Sequence, residues 1–233
     1  MSRKACSPTT GGKSGEVTRA LLREQWCATR DNRAMTTKPS ARRTEAAPHV
    51  VRIIGGQWRR TRLPVADKPG LRPTPDRVRE TLYNWLGQDL TGWRCVDAFA
   101  GTGALGFEAA SRGATDVLLI EQDPSLAASL RALKERLQAE TVRVQRGDGI
   151  AALRALAAGS VDLALLDPPF GANLFSPALE AAASAVRPGG WVYLESPVAA
   201  DEEQLRALGL TLHRHLKAGA VHAHLLQRSL TPA

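Results

Sequence analysis

Residues 163–175, LALLDPPFGANLF, place a carboxylate, two prolines and an aromatic ring directly after an apolar run. Proline fixes φ and has no N–H to donate, so Pro168 and Pro169 cannot extend a sheet. Each residue that precedes a proline is also held in an extended conformation. Asp167, the carbonyl of Pro168 and the ring of Phe170 would therefore form a rigid ledge that accepts hydrogen bonds. Such a ledge suits a ligand group that donates hydrogen bonds, such as an amino group.

Acidic residues end four successive short apolar runs of this kind. The acids are Asp97, Glu121, Asp148 and Asp167. Each one alone is better explained as a helix cap or a surface residue. Together they indicate a ligand site, because acids on one rim repel each other unless cationic or hydrogen-bond-donating groups lie among them.

The elements that must position these acids are strands alternating with helices. The predicted strands are residues 94–100, 116–121, 142–148, 161–167 and 191–196, and the predicted helices between them are residues 104–112, 125–138, 149–158 and 176–186. Their short runs of β-forming residues and their helical spacing predict a parallel sheet with helices on both faces. In such sheets ligands bind beyond the carboxyl ends of the strands, which is where the acids stand.

The last two apolar runs predict an antiparallel hairpin that completes a seven-stranded sheet. A turn centred on residues 218–219 would place His215 opposite His222 and His213 opposite His224, with all four imidazoles on one face. A zinc site, a polar sheet face and a contact with RNA are alternative interpretations, and we assign no metal site from this pattern.

A glycine-rich loop follows the first parallel strand. Gly101, Gly103 and Gly106 have the spacing of a dinucleotide-binding loop, with Glu121 about 20 residues further on. A nicotinamide-dependent oxidoreductase is therefore one alternative. Asp97 argues against it, since an acid at the strand end would repel a pyrophosphate at the helix N-terminus. S-adenosylmethionine has no phosphate, and its α-ammonium group is one that an acid can hold.

If S-adenosylmethionine binds beside that loop, each remaining acid would bind a different group of the cofactor or of the substrate. Glu121 would accept hydrogen bonds from the ribose hydroxyls and Asp148 from the adenine amino group. Asp167 and the Pro168 carbonyl would bind the two hydrogens of an exocyclic base amine and aim its lone pair at the methyl group. Such positioning can contribute several kcal/mol, with roughly 7–11 kcal/mol as the limit. Phe170 would stack on a flipped base, which is worth about 1–3 kcal/mol.

The formal net charge of +8 is concentrated near the N-terminus. Residues 1–50 carry ten Lys and Arg against four Asp and Glu, and residues 51–100 carry nine against five. Residues 101–233 carry twelve against fourteen. This asymmetry indicates a polyanionic partner that contacts one end of the molecule.

The composition and hydrophobic periodicity of the sequence divide the chain into three parts. Residues 1–48 show little periodicity and are expected to be a disordered extension. Residues 49–70 are expected to form a basic β-hairpin that binds RNA, and residues 71–233 the catalytic domain. In the latter, residues 72–90 predict a helix that Thr74 or Asp76 could cap.

Composition excludes several other classes of protein. No apolar run approaches a membrane span, and the start lacks the apolar region of a secretory signal. The three cysteines are isolated and form no metal or redox motif, which suits a reducing compartment. We therefore expect a cytoplasmic protein without a membrane partner.

Four segments together resemble the RsmD-type methyltransferases, a family that methylates N2 of one guanine in 16S ribosomal RNA. The segments are residues 52–56 (RIIGG), 72–86 (RPTPDRVRETLYNWL), 97–108 (DAFAGTGALGFE) and 167–170 (DPPF). The similarity covers roughly residues 50–228. It implies a Rossmann-like class I methyltransferase fold, S-adenosyl-L-methionine as cofactor, and a small-subunit (30S) assembly intermediate as substrate. We expect the protein to act as a monomer, since no feature of the sequence demands a partner chain.

The resemblance also implies site residues. Those expected to hold the guanine are Asp167, Pro168, Pro169 and Phe170. Those expected to bind the cofactor are Thr74, Arg77, Asp97, Phe99, Gly101, Gly103, Glu121, Gln122, Asp148 and Gly149. Those expected to contact RNA phosphates are Arg52, Arg59, Arg60, Arg62 and Arg72.

The residues themselves leave other substrates open. The ledge suits adenine N6 or cytosine N4 of RNA or DNA equally well, although a DNA enzyme would normally add a target-recognition domain. In protein-glutamine methyltransferases the similar motif begins with Asn, which donates as well as accepts, whereas ionised Asp167 only accepts. A non-catalytic RNA-binding factor would be expected to have a damaged loop or ledge, and both are intact here.

Overall fold

A computed structural model describes residues 51–65, 74–170 and 173–230 of the chain. The expected N-terminal extension and Arg72 lie outside the described residues. The strands are β1 (Val51–Arg52), β2 (Arg62–Leu63), β3 (Arg94–Asp97), β4 (Asp116–Glu121), β5 (Val142–Arg146), β6 (Val161–Leu166), β7 (Val186–Ser196), β8 (Leu210–Ala218) and β9 (Val221–Arg228). The helices are α1 (Asp76–Trp85), α2 (Ala104–Ser111), α3 (Pro124–Leu137), α4 (Gly149–Ala155), α5 (Phe175–Ala185) and α6 (Glu202–Ala207).

The main sheet has seven strands in the order β5-β4-β3-β6-β7-β9-β8. Strands β3 to β7 are parallel, and β9 pairs antiparallel with both β7 and β8. The predicted Rossmann-like architecture is thus confirmed, although α6 was not anticipated. The first strand of the main sheet, β3, lies at its centre, and β4 and β5 follow towards one edge. The chain then returns to the centre, where β6 and β7 lie on the other side of β3.

The sheet has a hydrophobic core on each face. One core includes β1, β2 and residues of α1, α2 and α3, and the other lies under α4, α5 and α6. Every residue of β6 is buried, because helices cover the central strands on both sides.

The predicted N-terminal strand pair is present as β1 and β2, which form a two-stranded antiparallel ribbon. Val51, Ile53 and Leu63 of this segment are buried in the same core as α1 and α2. The ribbon is therefore packed onto the main sheet rather than built around a core of its own. After it, α1 begins behind Pro75 without a capping side chain, so the predicted cap by Thr74 or Asp76 is wrong.

The predicted register of the terminal hairpin is also wrong. Ala218 pairs with Val221, so Gly219 and Ala220 form the turn, one residue later than predicted. Gly219 adopts φ 62°, which a glycine tolerates in a tight turn. His215 consequently lies opposite His224.

His213 does not join the other three histidines. A register irregularity between Leu212 and Arg214 displaces it. Its ring packs edge-on against Trp191 instead, with 4.9 Å between the ring centroids. Within the described ranges, no helix is long and apolar enough to cross a membrane.

Candidate active site

The site lies where the sheet changes direction, between β3 and β6. Asp97 ends β3, and Asp167 follows β6 directly. The two strands are neighbours, with Asp97 paired to Leu165. Ligands of open α/β sheets bind at such a switch point, so the two acids predicted to bind and to catalyse are brought to one place.

Asp97 is almost completely buried, with 1% of its surface exposed. Its Oδ2 accepts a hydrogen bond of 3.0 Å from the backbone N–H of Gly106, in the first turn of α2. Its Oδ1 has no hydrogen-bond partner among the residues that the structure describes. Burial raises the pKa of Asp97 from 3.8 to about 7, and the carboxylates of Glu121 and Glu195 add to the increase.

The glycine loop depends on conformations and clearances that side chains would not allow. Gly101 and Gly103 have φ of 52° and 77°, in the left-handed region. A Cβ on Gly106 would come within 2.1 Å of a methyl group of Leu119, so only glycine lets α2 approach the sheet this closely. Glu121 fixes the loop from β4, because its Oε2 accepts the Gly101 N–H at 2.8 Å. Glu121, which was predicted to bind the ribose, therefore also holds the loop in place.

The predicted adenine end of the site is less enclosed. Asp148 caps α4 by accepting the Ala151 N–H at 2.7 Å, so the helix-cap interpretation holds for this acid. Gly149 is buried, and a Cβ there would lie 2.0 Å from the carbonyl oxygen of Ala98. Phe99 is half-buried and Gln122 is exposed. Their contacts with adenine stay predictions.

The ledge has the expected division between buried and exposed groups. Asp167 is half-buried and Pro168 is buried, whereas Pro169 and Phe170 are exposed. The ring of Phe170 is 48% exposed and touches Phe175 only at a tilted 6.1 Å. One face of the ring is therefore available for a planar ligand.

Thr74 and Arg77 were both predicted to bind the cofactor. The Thr74 hydroxyl donates a long hydrogen bond of 3.4 Å to Asp167 Oδ2, and the residue is 5% exposed. Arg77 is exposed on α1. The structure thus brings Thr74 to the carboxyl group of Asp167.

Glu195 is a further acid at this rim that the sequence analysis did not identify. Leu166 and Leu194 are register partners, so Asp167 and Glu195 follow them side by side at the rim. Glu195 is 3% exposed and accepts a 2.8 Å hydrogen bond from the Tyr193 hydroxyl. The rule that found the other acids would have found this one, because Glu195 lies in the run 191–196.

Asp97, Asp167 and Glu195 form a row that we call the rim acids. Within the described ranges, no lysine, arginine or histidine lies within ion-pair distance of any of them. Burial, followed by the charges of Glu195 and Asp97, raises the pKa of Asp167 well above its usual value. Burial likewise raises the pKa of Glu195, while the hydroxyls of Tyr193 and Thr74 and the more distant charge of Arg79 oppose the increase. The row therefore suits a positively charged ligand, which would relieve the repulsion.

A second buried acid, Glu108 in α2, is surrounded by donors. Its two oxygens accept the backbone N–H groups of Ile54 and Gly55 at 2.7 Å each. The guanidinium groups of Arg112 and Arg79 reach it at 2.8 and 3.4 Å. We call this cluster the Glu108 anchor. It ties the segment after β1 to the helix that begins at the glycine loop, and nothing in the local sequence pattern indicated it.

Four arginines that were predicted to contact RNA lie on the basic ribbon and its turn. Arg52, Arg59, Arg60 and Arg62 are all exposed. Arg52 and Arg62 are register partners, and Arg52 also forms a 3.1 Å ion pair with Asp76. Within the described ranges the other three form no ion pair, so their charges are available to phosphates.

Comparison with protein families and curated proteins identifies relatives over most of the chain. The profile of the family described as conserved hypothetical protein 95 matches residues 51–227. Ribosomal RNA small subunit methyltransferase D of Escherichia coli K12 is 40% identical over 183 residues, which is 76% of this chain and 90% of that protein. The protein of the same name from Haemophilus influenzae is 36% identical over 191 residues, which is 79% of this chain and 97% of that protein.

Solved structures agree with this fold. A structure from Escherichia coli assigned as the methyltransferase yhhF has a TM-score of 0.68 and 34% identity, and the match covers 78% of this chain and 99% of that one. A structure from Haemophilus influenzae assigned as a methylase has a TM-score of 0.63 and 32% identity, with 77% and 99% covered.

Proposed function

The chain belongs to the family described as conserved hypothetical protein 95, that of ribosomal RNA small subunit methyltransferase D, and we propose that it methylates N2 of a guanine in 16S ribosomal RNA. The methyl donor is S-adenosyl-L-methionine. The observation that carries the proposal is the row of rim acids, which has no basic partner within the described ranges and includes the first residue of the Asp-Pro-Pro-Phe ledge. A phosphate-bearing nicotinamide cofactor would meet only repulsion there.

The residues present fit this cofactor. The orphaned Oδ1 of Asp97 is a buried acceptor beside the glycine loop, and would hold the α-ammonium group. Gly101 and Gly103 would pass beside the methionine portion, Glu121 would accept from the ribose, and Asp148 from the adenine amino group. When bound, S-adenosyl-L-methionine supplies an electrophilic methyl group on a sulfonium.

Asp167 and Pro168 would orient the nucleophile. A base amine is a weak nucleophile because its lone pair is delocalised into the ring. The Asp167 carboxylate and the Pro168 carbonyl can each accept one N–H, which draws the nitrogen towards tetrahedral geometry and frees its lone pair. Phe170 offers the exposed ring on which the base would stack.

Asp167 would also receive the proton that the amine loses. Its pKa is raised in this structure, and positive charge beside the rim acids would lower it again. Ligand binding would therefore favour the ionised, accepting form of Asp167 before the reaction. The proton then has an acceptor within hydrogen-bond reach of the nitrogen.

The basic ribbon would hold the RNA. Its exposed arginines form a phosphate-binding surface without base specificity, so binding should weaken as salt rises. We propose a 30S assembly intermediate as substrate and the cytoplasm as the compartment, because that is where subunits assemble. We propose a monomer, since one chain supplies the whole rim.

The test is transfer of labelled methyl to small-subunit particles that lack this modification, followed by digestion of the RNA to nucleosides. We expect N2-methylguanosine with the native protein and a loss of roughly a hundredfold or more in rate for Asp167→Ala. The matched control is Asp116→Asn, which changes a half-buried acid at the opposite end of β4 that pairs with Arg143, and it should leave the rate unchanged.

Two results would contradict the proposal. Label on adenine or cytosine would keep the chemistry of the ledge but remove guanine as the substrate. No transfer to particles or to naked RNA, despite tight binding of the cofactor, would favour the non-catalytic alternative.

A further inference from the structure

Three histidines of the terminal hairpin form a cluster that the methyl-transfer site does not use. One ring nitrogen of each of His215, His222 and His224 lies within 4.8 Å of the others. His215 is exposed, His222 half-buried and His224 buried. The rings of His215 and His224 stack at 4.8 Å, which follows from their direct pairing across β8 and β9.

His224 is fixed by backbone contacts. Its Nε2 lies 3.1 Å from the backbone N–H of Ala200 and so must accept that hydrogen bond. Its Nδ1 therefore carries the proton and faces the carbonyl of Leu194 at 3.3 Å. This ring has no lone pair to spare, and it forms the wall behind the other two.

His215 and His222 are arranged differently, because they face each other. His215 Nε2 and His222 Nδ1 are 2.9 Å apart. Two ring nitrogens at this distance cannot both carry a proton, so at least one lone pair points into the gap. The second lone pair becomes available when the shared proton is released. Both rings are held by paired strands rather than by a loop.

We propose that His215 Nε2 and His222 Nδ1 bind a late first-row divalent cation such as Zn²⁺ or Ni²⁺. Two imidazoles bound to one tetrahedral zinc at its usual bond length stand about 3.3 Å apart, so the observed gap needs to open by only a few tenths of an ångström. Imidazole nitrogen suits zinc and nickel, whereas magnesium requires oxygen ligands. Water would complete the coordination on the exposed side.

Lys217 is the nearby charge that opposes such binding. It is the register partner of His222 and is exposed. Side chains opposite each other in an antiparallel pair share one face. Removing this charge should therefore tighten metal binding, whereas it would have little effect if the metal bound elsewhere.

Calorimetric titration of the full chain, purified without a histidine tag, tests the proposal with ZnCl₂, NiCl₂ and MgCl₂. We expect Zn²⁺ and Ni²⁺ to bind saturably and Mg²⁺ not to bind. His222→Asn should weaken Zn²⁺ binding by roughly tenfold or more, and Lys217→Gln should strengthen it. His213→Asn is the matched control, because that ring contacts Trp191 instead of the cluster, and it should bind as the native protein does.

Nitrogen NMR of the imidazoles supplies a second measurement that does not depend on a variant. Zn²⁺ should shift His215 Nε2 and His222 Nδ1 and leave His213 unchanged. The proposal is overturned if no saturable Zn²⁺ binding occurs, or if His222→Asn and His213→Asn affect it equally.

Discussion

Glu108 and Asp97 are both buried carboxylates on the same side of the sheet, but the structure surrounds them in opposite ways. Glu108 meets two guanidinium groups and two backbone N–H groups. Among the described residues, Asp97 has only the backbone N–H groups of Gly106 and Phe99 as donors, one oxygen without a hydrogen-bond partner, and further acids as its neighbours. A buried charge is tolerated when it is paired and hydrogen-bonded. All the partners of Glu108 therefore come from the protein itself, whereas the rim acids need a ligand to supply the missing donors and positive charge.

A buried acid can therefore have one of two roles: it can stabilise the fold, or it can bind a ligand. Glu108 stabilises the fold because its partners come from the same chain. Asp97, Asp167 and Glu195 cost stability in the absence of a cation, and that cost is recovered when a cation binds. Mutation of the two groups should therefore have opposite effects on stability.

The largest expected effect is the loss of the Glu108 anchor. Glu108→Gln removes the counter-charge of the buried Arg112 and leaves Asp76 as the acidic partner of the buried Arg79. Breaking such a buried pair should lower the free energy of unfolding by about 3–5 kcal/mol. Urea denaturation measures this change. Glu135→Gln, on the exposed face of α3, is the control and should stay within about 0.5 kcal/mol of the native protein. Equal free energies of unfolding for the two variants would contradict the stabilising role of Glu108.

The rim acids should make the cofactor-free protein less stable as pH rises. The Asp97 carboxyl titrates near 3.8 when unfolded and near 7 when folded. Between these values only the folded state keeps the proton, so the stabilisation is complete below pH 4 and is lost as pH rises through 7. We expect the free energy of unfolding to fall by about 3 kcal/mol from pH 5 to pH 8 through this group.

Asp97→Asn isolates that contribution. The variant should show a flatter dependence of unfolding free energy on pH and, at pH 8, a stability equal to or above that of the native protein. A native pH dependence in the variant would show that Asp97 is not the group responsible.

The same substitution should weaken cofactor binding. A hydrogen bond to a charged group is worth about 1.5–3 kcal/mol, so Asp97→Asn should raise the Kd for S-adenosyl-L-methionine by roughly ten- to a hundredfold. Calorimetry measures it, with Asp116→Asn as control. Unchanged affinity in both variants would remove Asp97 from the cofactor site.

The smallest expected effect concerns Thr74. Its hydroxyl lowers the pKa of Asp167, and Thr74→Val removes this donor. The acidic limb of the pH profile of kcat should move to higher pH, by less than about one unit for a hydrogen bond of about 1 kcal/mol. Thr74→Ser should restore the native profile. If both variants behave alike, packing at this position matters and the hydroxyl does not.

The elements of the site that the sequence revealed are those with local signals. The Asp-Pro-Pro-Phe ledge and the glycines of the loop have residue types that restrict or permit particular backbone conformations. The acids at the strand ends follow because parallel strands bring their carboxyl ends to one edge. Glu195 belongs to the same class and could have been found by the same rule.

The hairpin register shows where local signals become insufficient. The residues Ala218, Gly219 and Ala220 allow two adjacent turns, and a shift by one residue changes every cross-strand pair. The packing against β7 selects the turn at Gly219 and Ala220, together with the irregularity beside His213. The geometry of the histidine cluster follows from that choice.

The sequence by itself determined the fold class, the edge of the sheet at which ligands bind, and the acids that stand there, because each depends on patterns within a few residues. Only the tertiary structure decided which acids are paired. The partners of Glu108 are 54, 53, 29 and 4 residues away along the chain. Whether a buried carboxylate stabilises the fold or awaits a ligand depends on charges and donors within a few ångströms, and folding alone brings those together.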